Sequence, residues 1–194
     1  MNLKQHRQKL IRGFTLIELM VTVSILAILI TIALPDLRTF LISSKLSSNV
    51  NEFVGLLNLA RSEAIVRNQN VLVCAVDTTS ATDPKCSTTQ FWGQSTIQVC
   101  VDANGNGDCD STEIRIKTLT AQDVSASQFN FIKKSTSIAV RFLPAGYVGN
   151  PASFYLHAIK AGDLDYENKN GRFVCISTAG RPRVAPGNTT TCTQ

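Results

Sequence analysis

From Phe14 to Leu34 the chain is an almost unbroken apolar run, FTLIELMVTVSILAILITIAL, with Glu18 its one charge. At about 1.5 Å per helical residue the run reaches roughly 30 Å, the thickness of a bilayer's hydrocarbon layer, so it predicts a membrane-spanning helix. Pro35 ends the run, and its missing backbone donor predicts a kink or an interruption there. Leu37, Phe40, Leu41, Val50, Phe53, Val54, Leu57, Ala60 and Ala64 then recur at steps of three and four, with Arg61, Glu63 and Arg67 off that stripe. This spacing predicts an amphipathic helix to about residue 67 that packs its stripe on a sheet. Short β-rich runs follow at 71–76, 96–102, 113–119, 128–132, 138–142, 153–160 and 172–178, separated by Ser, Thr, Asp, Asn and Gly. Residues 77–90 and the tail from Pro186 to Gln194 have loop composition. The pattern predicts an α+β chain, a long N-terminal helix followed by about seven antiparallel strands.

Charge sharpens the picture. The 194 residues carry 19 Lys and Arg against 14 Asp and Glu, and the excess sits at the two ends. Lys4, Arg7, Lys9 and Arg12 precede the apolar run, so the positive-inside rule keeps the N-terminus cytoplasmic and delivers the rest to the far side. Residues 133–194 carry a second net +5. Six cysteines without a C-x-x-C pair, and only two histidines, argue against structural zinc and for disulfides in an oxidising compartment. The same features argue against a cytosolic enzyme. No G-x-S-x-G, H-E-x-x-H or glycine-rich phosphate loop opening a helix occurs, so no enzyme and no required cofactor is expected.

A short basic leader ending in Gly13, then Phe14-Thr15-Leu16-Ile17-Glu18 opening the apolar helix, resembles the class III signal of type IV prepilins. The resemblance implies residues 1–13 as leader, 14–35 as transmembrane and filament-core helix, 36–68 as the amphipathic half and 69–194 as the head. It implies cleavage between Gly13 and Phe14 by a prepilin peptidase, with methylation of the new Phe14 amine. That amine and Glu18 would share a low-dielectric helix bundle, where each charge needs the other; we expect them to pair within or between subunits. Ala60-Arg61-Ser62-Glu63-Ala64, Val101-Asp102-Ala103-Asn104-Gly105-Asn106-Gly107 and Gly180-Arg181-Pro182-Arg183 extend the resemblance to the H-type pseudopilin and FimT-type minor pilin group. The implied partners are other major and minor pilins, the peptidase and the bacterial inner membrane, with the head in the periplasm and later on an extracellular pilus.

Within the FimT-type group a C-terminal G-R-x-R motif binds extracellular DNA during natural transformation. By resemblance that role falls here on Arg181 and Arg183, with Gly180 shaping a turn; proline extends the backbone between them. Lys133, Lys134, Arg141, Lys160, Lys169 and Arg172 are candidate auxiliary contacts to double-stranded DNA. Such binding is independent of base sequence and strongly salt-dependent. The alternative is an H-type minor pseudopilin of a type II secretion system, or a subunit priming pilus assembly, that does not touch DNA.

Two further features remain. Six cysteines allow fifteen connectivities; the local set, Cys74–Cys86, Cys100–Cys109 and Cys175–Cys192, closes loops and hairpins and is preferred. Residues 102–113 put Asp102, Asn104, Asn106, Gly107, Asp108, Asp110 and Glu113 on positions 1, 3, 5, 6, 7, 9 and 12 of a calcium-loop pattern. Strand-like flanks, Cys109 at an apolar position and two uncharged asparagines favour the alternative, a Gly/Asn hairpin turn.

Overall fold

A computed structural model describes residues 13–76, 85–120, 129–135, 137–158 and 171–187, with side chains throughout except at 32–36, 38, 39 and 94. The chain divides after Leu41 into a helical unit and a head unit that begins at Ile42. One α-helix, α1 (Leu16–Arg67), passes through both. Thr15 starts it: its Oγ1 accepts the Glu18 N–H (3.3 Å) and its carbonyl accepts the Leu19 N–H (3.2 Å). This is the backbone half of a Thr-x-x-Glu capping box. Asn68 ends it in the left-handed region (φ 53°), where the Asn68 and Gln69 N–H groups donate to the Ile65 and Ala64 carbonyls, a Schellman closure.

The helix runs on through Pro35 as one long helix, so of the kink and the interruption the interruption does not occur; proline removes one donor, and the intact bonds of the turns on either side carry the helix past that loss. The expected apolar stripe needs correction. Leu37, Phe40 and Leu41 are exposed, and the buried stripe starts instead at Leu46, continuing through Val50, Phe53, Leu56, Leu57, Ala60 and Ala64. Phe14 to Ile30 is exposed on all faces, from 80% at Phe14 to 46% at Ile30. Among the described residues no helix is long and apolar enough to cross a membrane; the side chains of 32–36, which close the apolar run, lie outside them.

The described residues of the head form two antiparallel four-stranded sheets. The first is formed by β1 (Asn70–Val76), β2 (Thr96–Asp102), β3 (Arg115–Leu119) and β5 (Val140–Phe142), in the order β3-β2-β1-β5. The second is formed by β4 (Phe129–Lys133), β6 (Ala152–Ala158), β7 (Gly171–Ile176) and β8 (Pro182–Pro186), in the order β4-β6-β7-β8. Alternation explains the faces: Val71, Val73, Ala75, Ile97, Val99 and Val101 join the helix stripe in the core, while Leu72, Cys74 and Cys100 turn the other way. An aromatic group fills the centre, with Phe53 against Phe131 (4.6 Å), Phe154 (4.9 Å) and Trp92 (6.4 Å).

Where about seven strands are expected, the described residues form eight. β8 covers residues read as a turn and the start of a loop, because a segment bounded by Pro182 and Pro186 looks poor in strand signal. Both prolines fit an edge strand, whose outward side needs no donor, and they discourage further strand addition.

Candidate functional site

The C-terminal basic motif is built around one backbone carbonyl. After β7 the chain turns, with the Gly180 N–H donating to the Ser177 carbonyl (2.8 Å), and Gly180 adopts φ +72°. A Cβ at that position would collide with the Gly146 carbonyl oxygen. The same oxygen accepts the Arg61 Nε–H of α1 (3.1 Å). Val148 N–H donates to the Thr178 carbonyl (2.9 Å), which fastens the 143–148 turn to the β7–β8 turn. Arg61 and Gly146 thus position the motif, and neither is readable as such from the sequence; Arg61 looks like a solvent-facing residue off the apolar stripe.

From this anchor Arg181 and Arg183 emerge, both exposed, and neither has an ion-pair partner among the described residues. Arg183 lies on β8 and is paired with Cys175 of β7, so the motif is a turn leading into an edge strand rather than a turn throughout. Two strand positions separate the arginines by about 6.7 Å along the backbone. Edge placement leaves both guanidinium groups accessible to an extended anion.

The wider patch is smaller than the charge count suggests. Lys133 does not belong to it: only 2% exposed, it holds Nζ 5.6 Å from the centre of the Trp92 ring, and burial pushes its pKa down. Its place on β4 follows Phe129 and Phe131 at period two, which turns it to the core face. Arg141 sits on β5 of the other sheet, with Nη2 3.3 Å from an Asp102 carboxylate oxygen. Lys134 is exposed but follows β4, at the edge of the sheet opposite β8, about 14 Å away across three strand spacings. Arg172 of β7 is half-buried and donates to the Gly171 carbonyl (2.8 Å). Lys160 and Lys169 lie outside the described residues.

Cys74 is bonded to Cys86 (Cα–Cα 5.5 Å) and Cys100 to Cys109 (5.8 Å). The two bridges pack together, Cys74 Sγ 3.7 Å from Cys109 Sγ, on the face of the first sheet away from the helix. Cys175 is also disulfide-bonded; its expected partner, Cys192, lies outside the described residues.

The calcium-pattern loop joins β2 to β3. Asp102 and Glu113 are buried, at 3% and 9% exposure, while Asn104 and Asn106 donate amide N–H groups to Asp110 Oδ2 (2.9 and 3.3 Å). Gly107 has φ +82°, and its N–H donates to Asp102 Oδ1 (3.4 Å). At the other end of the chain, Gly13, Phe14 and Glu18 are all exposed, with Glu18 in the first helical turn.

A long helix that opens on a processing-type signal and packs its second half on an antiparallel head defines the type IV pilin-like class, minor pilins and H-type pseudopilins among them. The family model described as Type II transport protein GspH matches residues 49–180, and the chain belongs to that family. A model of the prokaryotic N-terminal methylation motif matches residues 9–34. Membership implies association with other pilin subunits in a filament. Among solved structures, the type IV minor pilin FimU of Pseudomonas aeruginosa shares this fold, at 21% identity and a TM-score of 0.54 over 75% of this chain and 92% of that one. A second crystal form of FimU gives 20% identity and a TM-score of 0.50 over 74% and 94%. The minor pseudopilin EpsH of Vibrio cholerae matches at 15% identity with a TM-score of 0.48, over 75% of this chain and 99% of that one. No curated protein matches the chain.

Proposed function

We propose that this protein is a minor subunit of a type IV pilus, cleaved between Gly13 and Phe14, held in the inner membrane by residues 14–35 until it joins the filament. There its head captures double-stranded DNA, without base preference, for uptake. The helix whose apolar side chains are exposed on every face needs an apolar surrounding, which the bilayer and then the filament core supply. Glu18 pairs there with the Phe14 amine. The methylation-motif match supports the processing step.

The observation that carries DNA capture is the pair Arg181 and Arg183, exposed and without an ion-pair partner among the described residues, Arg181 just before an edge strand and Arg183 on it, with the turn locked by Gly180 against Gly146. Guanidinium groups so placed form charge-assisted bonds to phosphate. Few contacts at physiological salt give weak affinity, roughly 10⁻⁴ to 10⁻⁶ M. The test titrates the full chain in detergent with short duplex DNA at two salt concentrations, beside Arg181→Ala/Arg183→Ala checked for folding. Loss of two phosphate contacts should lower the slope of log K against log salt by about 1.8. Equal binding by the folded double variant, or none by wild type at low salt, rejects DNA capture and leaves the structural pseudopilin of a secretion filament.

A further inference from the structure

The loop between β2 and β3 contains two buried carboxylate oxygens that have no hydrogen-bond partner among the described residues. Asp102 Oδ1 receives the Gly107 N–H, whereas Oδ2 accepts no hydrogen bond and meets Arg141 Nη2 at 3.3 Å. Glu113 Oε1 receives the Ala103 N–H (3.0 Å), whereas Oε2 is buried with no partner, on a residue that is 9% exposed. Native interiors rarely leave an atom such as Glu113 Oε2 unsatisfied; Glu113 and the ion-paired Asp102 stand at the last and first positions of a twelve-residue calcium-loop pattern.

Three of the residues between them share a contact point of their own. The amides of Asn104 and Asn106 reach one oxygen of Asp110, so the side chains at positions three, five and nine meet at a point. Gly107 occupies position six with φ +82°, the left-handed geometry that lets the loop reverse. The Cys100–Cys109 bridge closes the loop covalently and reduces the ordering that binding would require. The positive partners now facing these acids are the Arg141 guanidinium on Asp102 and amide N–H groups on Asp110.

We propose that residues 102–113 form a calcium site, with oxygen donors from Asp102, Asn104, Asn106, Asp110, Glu113 and the backbone carbonyl of Asp108. Turning the two amide oxygens onto the ion exchanges their present bonds from the Asn106 and Asp108 N–H groups (2.9 and 2.8 Å) for calcium contacts, and Glu113 closes the loop from its far end. A flexible loop with at least six oxygen donors suits calcium; magnesium demands near-ideal octahedral geometry and keeps its water. Strand flanks in place of helices do not bear on this, because the donors lie within the loop.

The test uses the full chain in detergent, stripped with EGTA, in equilibrium dialysis against radioactive calcium and in thermal melts with calcium chloride or magnesium chloride. Wild type should take up one calcium ion per chain with a Kd of roughly 10⁻⁴ to 10⁻³ M, the range of extracellular modules. Its melting temperature should rise with calcium and not with magnesium. Glu113→Gln and the more exposed Asp110→Asn, each verified by circular dichroism, should weaken uptake at least tenfold. Asp110→Asn keeps the test valid if Glu113→Gln fails to fold. No uptake by wild type at about 5 mM calcium overturns the proposal, as does uptake that Asp110→Asn retains in full or that magnesium matches.

Discussion

Gly180→Ala should be unusually costly, and Gly105→Ala supplies its control. Both glycines have left-handed backbones, φ +72° and +75°, but a Cβ at Gly105 meets nothing within 4 Å, whereas at Gly180 it strikes the Gly146 carbonyl oxygen. The left-handed conformation costs an L-residue about 1–2 kcal/mol, and Gly105→Ala should lose that much. Gly180→Ala adds a collision with backbone, which no rotamer relieves. Moving the Gly146 carbonyl breaks its bond to Arg61, a charge-assisted contact worth about 1.5–3 kcal/mol. The total is about 2.5–5 kcal/mol, and at roughly 2–4 °C per kcal/mol for a domain of this size it lowers the melting temperature by roughly 5–20 °C. Thermal melts of both variants measure the difference, and a cycle with Arg61→Met tests its origin: the double variant should lose less than the sum. Equal losses in the two glycine variants, or full additivity with Arg61→Met, would refute the lock.

Lys133→Met should melt no lower than wild type at pH 7, because it removes a charge from the core face of β4 while keeping the packing. The folded pKa lies below the ordinary 10.5, so the unfolded chain binds the proton more tightly; the lysine's contribution is complete only above 10.5 and is lost as pH falls through the lowered value. Wild type should therefore gain on Lys133→Met as pH rises toward 10.5; a variant clearly less stable at pH 7 would mean that the cation over Trp92 outweighs its desolvation. Glu18→Ala should leave the protein in the membrane and out of sheared filaments, read by immunoblot of both fractions; incorporation equal to wild type would sink the pairing with the Phe14 amine.

Much of the head was legible because its periods are local. Phe53, Leu57, Ala60 and Ala64 are buried as the helical spacing implies, and the runs at 71–76 and 96–102 are strands β1 and β2 within a residue. The misses have a common cause. The fourth run was read as ending at Ile132; one residue more puts Lys133 in phase with Phe129 and Phe131, so a lysine counted as surface charge is core. At β8 two prolines hid a strand that only an edge position permits.

By itself the sequence determined the elements and the chemistry it carried at each end: the apolar helix with its signal, the strand alternation, the basic motif and the oxygen-rich loop. These follow from neighbours within one helical turn or one hairpin. Only the tertiary structure decided which charges remain free. Arg61 and Gly146 are 85 residues apart yet share one carbonyl-centred lock with Gly180, and Arg141 of β5 is drawn to Asp102 of β2 within the first sheet. Such partners are fixed by which strands and turns the folded chain brings together, and that is why, among the described residues, Arg181 and Arg183 stay available while Lys133 is buried and Arg61, Arg141 and Arg172 are engaged.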